Sequence, residues 1–366
     1  MPNRNVSFAL KALCLLTAGL LLGAGPVLGQ QVEPAPEYEN VFHRNNGWSG
    51  ADGTYSYPLR DGRTLWGFSD TFFGDVVDGV RQLPCRFIHN SVALQSGSSF
   101  DFPPAPVFRP PSDQGSWFWL FDGAEGNQIL LGEFEGDGQD NGFGFSQVGL
   151  WVARFQPRPG GAGVKVLDLQ RLPHFRRQDK EQITFGPAIL ETPSWLYLYG
   201  ALDREGVRNS VLARVPRGCL DQPRAWRFFA GDQWKEDISS VRPLFAGAAM
   251  EASVHLTSSG EYLYVGTDGG GMGSSIIARL APTPEGPWGE PMLIFEAPEH
   301  KGDVFTYCAK AHPELSQNGR LLLSYNVNTS NFEKLVGDAD IYRPRFLWWT
   351  PPQPGWLPPD RKNQQD

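Results

Sequence analysis

Asp52 and Asp70 flank Gly62, ten residues before it and eight after it; Glu251 and Asp268 flank Gly260 almost identically, nine before and eight after. Lys310 stands nine residues before Gly319, and Thr184 nine before Pro193. If each Gly or Pro marks a hairpin turn, these side chains sit at the same end of equivalent strands, and two acids and a cation meet in one place. Two carboxyl groups in one pocket push their pKa values apart, so one keeps its proton while the other stays charged. Such a pair can cleave a glycosidic bond: one carboxylic acid protonates the leaving oxygen, and a carboxylate activates water or attacks carbon directly. Asp52 is read as the base, Asp70 as the acid and Glu251 as the reserve acid. Aromatic rings suit the CH faces of sugars, and Trp48, Trp66, Trp117 and Trp119 are candidates, although most such tryptophans pack between strands.

These side chains need elements that bring them together, and the chain supplies a repeat. Residues 54–59 alternate as a strand, Arg60-Asp61-Gly62-Arg63 turns, 64–70 returns, and 87–94 forms a third strand. The same order recurs in 117–121, 128–134 and 149–155, in 183–190, 195–199 and 210–215, in 249–256, 262–267 and 275–280, and in 308–315, 320–326 and 345–349. Turn anchors at 62, 126, 193, 260 and 319 lie 64, 67, 67 and 59 residues apart. Five units of this size predict an all-β fold, a five-bladed β-propeller; a β-sandwich with coincidental spacing is the alternative. The first strand of each blade lines a propeller's central channel, so acids on those strands are the informative ones. The first hairpin poses a difficulty. With Asp61-Gly62 as its loop, residue 53 faces 70 and residue 52 faces 71, and alternation sends the two aspartates to opposite faces. A bulge near Gly50 or Gly53, or a different turn length, is required for both to enter the pocket.

The 366 residues carry 32 Lys and Arg against 40 Asp and Glu, a net charge of −8. No surplus of cations exists to hold nucleic-acid phosphates. Apolar residues at 40% and aromatic ones at 13% are enough to bury a core and exclude a disordered chain. Residues 1–29 read as a secretory signal, with Arg4 and Lys11 as its charges, an apolar run over 12–22 that contains Cys14, and Val27-Leu28-Gly29 as the cleavage pattern. That run is too short for a bilayer, which takes about 20 residues; a secreted or periplasmic product with no membrane span is expected. Residues 30–38 read as a polar leader, 39–350 as the propeller and 351–366 as a mobile Pro-rich tail. Cys85, Cys219 and Cys308 remain, an odd number that allows at most one internal disulfide, and none has zinc-site spacing. No nucleotide or redox cofactor is implied. Asp137-Gly138-Gln139-Asp140-Asn141-Gly142 resembles a fragment of a calcium loop without its terminal Glu, and Gly269-Gly270-Gly271 reads as a flexible rim.

Several blocks are familiar: Gly50-Ala51-Asp52-Gly53-Thr54, Leu65-Trp66-Gly67-Phe68-Ser69-Asp70-Thr71-Phe72, Phe87-Ile88-His89-Asn90-Ser91, Ala309-Lys310-Ala311-His312-Pro313-Glu314 and Tyr342-Arg343-Pro344-Arg345-Phe346. Over about residues 39–349 the chain resembles a group of secreted bacterial proteins catalogued largely as domains of unknown function, of the 5005 and 4185 type. That group is related to the five-bladed propeller glycosidases. One branch contains endo-acting D-arabinanases of mycobacterial arabinan, which look like inverting enzymes with two aspartates in the first blade. The resemblance implies the same roles for Asp52 and Asp70. The arabinanase branch more often reads Phe-Gly-Asp-Thr where this chain has Phe68-Ser69-Asp70-Thr71, which implies a sister branch.

Around the carboxylates, Trp48, His89, Asn90, Asp268, Lys310, His312, Arg343 and Arg345 are expected to bind a polysaccharide or oligosaccharide. Each has a structural counterpart: Asp70 as a turn cap, Glu251 paired with Lys310 or an arginine, the histidines as core residues, and the arginines as packing for the closing blade. A non-catalytic carbohydrate-binding or envelope-scaffold propeller is the alternative to a glycoside hydrolase.

Overall fold

The structure is a computed structural model that describes residues 31–359, apart from 104–105, 113–114, 125, 137, 139–143 and 159–162. The signal segment, residues 360–366 and the calcium-loop fragment other than Gly138 lie outside the described residues.

Hairpins form where the sequence places residues that tolerate positive φ. Gly62, Gly126, Gly260 and Gly319 have φ of +83°, +86°, +86° and +74°, a region where a Cβ is costly. At Asn318-Gly319 both residues are left-handed, at +51° and +74°, and Gln317 pairs directly with Arg320; this is the two-residue turn that Asn-Gly favours.

Among the described residues five larger antiparallel sheets follow one another along the chain, beside a three-stranded sheet of Trp48–Ala51, Thr71–Phe73 and Arg86–Ile88 and a two-stranded one of Val76–Val77 and Val80–Arg81. The first holds Tyr55–Pro58, Thr64–Phe68, Ser91–Ser96 and Ser99–Asp101; the second Trp117–Ala124, Gln128–Gly136, Phe145–Pro157 and Val164–Leu172. The third is built on Glu181–Glu191, Trp195–Arg204 and Val207–Pro216, the fourth on Ala252–Leu256, Tyr262–Thr267, Ser275–Ala281 and Met292–Glu296. The fifth runs Val304–Gln317, Arg320–Thr329, Arg345–Thr350 and then Gln31–Pro34. The first strand of each of these sheets packs on that of the next, and that of the fifth touches that of the first, so the sheets close into a ring. This is a β-propeller.

Each seam of the ring has its own apolar core. Sheets buried on both faces require unbroken apolar runs rather than alternation. Leu321-Leu322-Leu323 illustrates this: Leu321 and Leu323 pack toward the fourth sheet, while Leu322 joins Trp48, Trp66 and Phe346 at the seam with the first.

Two expected boundaries move. The leader is not outside the fold, because Gln31–Pro34 pairs with Arg345–Thr350 as the outer strand of the fifth sheet, joining the two ends of the ring. The tail does not begin at 351 either. Ser258 N donates to Leu357 O at 2.7 Å and Ser259 N to Gly355 O at 2.9 Å, and Trp356 is buried beside Trp349. Two backbone hydrogen bonds and the packed Trp356 together hold this Pro-rich segment down. Among the described residues no helix is long and apolar enough to cross a membrane.

Candidate active site

The first hairpin resolves the register problem through its turn. Tyr55 faces Gly67 and Pro58 faces Thr64, with Leu59 N donating to Arg63 O at 2.8 Å and Gly62 N to Leu59 O at 3.1 Å. Arg60, Asp61 and Gly62 thus form a three-residue loop, one longer than Asp61-Gly62 alone. The change of one residue sets Asp52 opposite Asp70: Asp52 N donates to Asp70 O at 3.1 Å and Ser69 N to Asp52 O at 2.9 Å. Asp52 is thus bonded to both Ser69 and Asp70, an irregular pairing rather than a regular ladder, and the two aspartates line the same cavity. The strand also kinks here, at Gly53 (φ +86°) and Thr54 (φ +47°), an irregularity of the kind that re-aims side chains.

Asp52, Asp70 and Glu251 all line one cavity of about 580 Å³ at the mouth of the ring. Asp52 Oδ2 accepts hydrogen bonds from Tyr307 Oη at 2.6 Å and Tyr342 Oη at 2.9 Å, and Oδ1 has no partner among the described residues. Desolvation first, and then the negative charge of Asp70, push its pKa up to about 8, against the opposing Tyr307 hydrogen bond. Both causes favour the protonated carboxyl. Asp70 Oδ1 accepts from Trp119 Nε1 and His89 Nδ1, each at 2.8 Å. His89 itself stacks on Trp117, centroids 4.5 Å apart. These partners replace the turn-capping alternative for Asp70.

Glu251 meets the buried Lys310 Nζ at 2.6 Å, and Lys310 also donates to Gly53 O and, at 3.1 Å, to Cys308 O. Burial raises the Glu251 pKa while Lys310 pulls it back. The ion pair thus ties the fourth and fifth sheets to the Gly53 kink beside Asp52. A bulge between Tyr307 and Lys310, with Cys308 at φ +56°, turns both Tyr307 and Cys308 toward the cavity.

Other candidates stand away from the cavity lining. Trp48 is packed in the seam between the fifth and first sheets. Asn90 is buried, its amide donating to Phe108 O and Phe118 O and accepting from Val107 N and Phe108 N. His312 is buried between Ser56 and Ser324 with Trp66 against its ring. Arg343 binds Asp340 and the carbonyls of Ser49 and Arg44, and Arg345 binds Glu299. Asp268 continues a strand end through Asp268 N to Ser275 O at 2.9 Å. Trp48 packs, and the hydrogen bonds of the others hold strands and loops in place. Cys85 and Cys219 are half-buried, Cys308 is buried, and all three are free. Among the described residues no three His, Cys, Asp or Glu side chains gather as a metal site.

Alignment on turns missed Tyr307, because the bulge at Cys308 breaks the count, and Tyr342, because it lies in a loop without periodicity. It also missed a polar wall from the third sheet, Gln182, Thr184, Asp203 and Arg208, of which only Thr184 had the matching spacing.

The fold has counterparts among solved structures. A "putative hydrolase" of Bacteroides ovatus is 22% identical, with a TM-score of 0.72 over 87% of this chain and 90% of that one. An exo-β-1,3-galactanase of Phanerochaete chrysosporium is 11% identical, with a TM-score of 0.46 over 87% of this chain and 64% of that one. An α-L-arabinofuranosidase of Podospora anserina is 11% identical, with a TM-score of 0.40 over 84% and 92%. No curated protein matches the sequence. The first of these likenesses extends to the fold alone, whereas the sequence from residue 35 to residue 350 matches a family model along nearly the whole ring, and the chain belongs to the family described as "Domain of unknown function (DUF5005)".

Proposed function

We propose that the protein is a glycoside hydrolase that acts outside the cytoplasm on a polysaccharide or oligosaccharide. The observation that carries this reading is the pair of aspartates on one cavity wall with different surroundings, Asp52 desolvated, with its pKa raised and two tyrosine hydroxyls on one oxygen, and Asp70 bonded to an indole and an imidazole. The two roles are the reverse of the assignment read from the sequence. Asp52 protonates the leaving glycosidic oxygen through Oδ1, and Asp70 activates water or stabilises the positive charge that develops on the sugar. His89 and Trp119 orient Asp70; Tyr307 and Tyr342 orient Asp52. The resemblance to arabinan-cleaving propellers makes arabinan, arabinoxylan and mycobacterial arabinogalactan the first substrates to try.

The test is product release from these polymers by the mature chain, Asp52→Asn and Asp70→Asn. Each substitution is expected to lower turnover about 10²- to 10⁴-fold, and wild-type turnover to fall as pH rises past about 8, where Asp52 loses its proton. Retained binding without release by the wild type would favour the carbohydrate-recognition reading.

A further inference from the structure

The cavity wall is not uniform around the ring. Gln182, Thr184, Asp203 and Arg208 come from the third sheet; Arg208 is bidentate on Asp203 at 2.7 and 2.8 Å, and Gln147 of the second sheet donates to Thr184 at 3.0 Å. In the ring the third sheet lies across from the seam of the fifth and first. There, and on the neighbouring fourth-sheet side, the lining is Phe72, Phe87, Phe305, Phe332, Met250 and Met272 with Asn328, Thr329 and Ser330 among them, while the second sheet adds a separate aromatic group of Trp119, Phe121, Phe134 and Phe145.

Four of these are exposed although they line a cavity: Phe332 at 58%, Phe87 at 45%, Met272 at 42% and Met250 at 38%. Among the described residues the molecule exposes eleven large apolar side chains, so over a third of them gather at this mouth. The fully buried Phe72 holds the two rings, its centroid 4.8 Å from Phe87 and 6.3 Å from Phe332. Met272 bridges to Tyr307, whose hydroxyl donates to Asp52, and Phe72 is two residues from Asp70. The apolar arc therefore begins at the carboxylates themselves.

We propose that this arc binds an aromatic ring attached to the sugar next to the bond that is cut, while the third-sheet wall holds the sugar; this rests on the hydrolase reading above. A second sugar fits the arc poorly, because two of its three polar side chains are engaged within the protein, Asn328 with Tyr307 Oη and Thr329 N, and the Thr329 hydroxyl with Asp303, which leaves Ser330 alone among apolar groups. Rings and thioethers attract flat π-systems more than they attract alkyl chains.

The experiment is a binding series by titration calorimetry on the mature chain, using phenyl, octyl and methyl glycosides of arabinofuranose, galactose and xylose, with fluorescence titration of free 4-methylumbelliferone alongside. The phenyl member is expected to bind about tenfold tighter than its methyl partner, and 4-methylumbelliferone to bind saturably. Both effects are expected to be lost in Phe332→Ser and kept in Leu167→Ser, a similarly exposed site on the outer strand of the second sheet. Octyl binding tighter than phenyl, no saturable binding of any aromatic probe, or a phenyl gain that survives Phe332→Ser together with Phe87→Ser would overturn the proposal. Cleavage of methyl-capped oligosaccharides without an aryl gain removes only the aromatic subsite; aryl binding without cleavage of any glycoside removes only the hydrolase.

Discussion

In the proposed mechanism two aspartates take opposite tasks from what lies within hydrogen-bond reach of each. Asp52 receives two phenol hydroxyls on one oxygen, lies in a desolvated place and feels a second carboxylate opposite, so the proton stays. The tyrosine bonds work against that proton, since a hydrogen bond to the charged form lowers a carboxyl pKa. Tyr307→Phe is therefore expected to move the basic limb of the kcat/KM profile to higher pH than the wild type's, with a moderate loss of kcat; the measurement is a pH-rate profile of both proteins. A limb that stays in place would mean that Tyr307 supports the loop and does not tune Asp52. Asn328 Nδ2, which donates to Tyr307 Oη at 3.1 Å, leaves that hydroxyl free to point its own proton at Asp52.

At the scale of elements, the site depends on a loop more than on a strand. Tyr342 follows the short helix Phe332–Gly337, with φ +78°, and the buried Arg81 guanidinium holds that loop by donating to the carbonyls of Leu335, Ala339 and Ile341. The loop presses on Gly50, where a Cβ would stand 2.5 Å from Tyr342 O and 2.6 Å from Arg81 Nη2. Gly50→Ala is expected to cost about 1–3 kcal/mol by overpacking, read as a lower urea midpoint. It is also expected to lower turnover in the protein that remains folded, because the displaced carbonyl belongs to the residue that orients Asp52. An alanine variant with wild-type stability and turnover would mean that the loop yields freely.

The whole molecule is a ring whose ends must be joined, and the termini do this. The first described strand, Gln31–Pro34, closes the fifth sheet, and the segment after the last strand returns to cover the fourth-to-fifth seam with Trp356. Trp356→Ala is expected to destabilise the protein by about 3–5 kcal/mol, measured as a fall in the thermal midpoint. An unchanged midpoint would show that the segment adds no stability.

The five hairpins, their order and the two aspartates of the first could be read from the residues, because glycine turns and apolar strand runs are local in cause. Which residues face the cavity could not be read with the same ease. One extra residue in the Gly62 turn reverses a whole face of the strand, and a bulge at Cys308 turns Tyr307 inward. Tyr342 reaches Asp52 from 290 positions away, and sequence spacing carries no information about a contact made by ring closure. His312, Asn90 and Arg343 have the side chains of binding residues but spend their hydrogen bonds inside the protein. Residue type states what a side chain can do; only the packing around it decides whether the donor or acceptor is still free to meet a substrate.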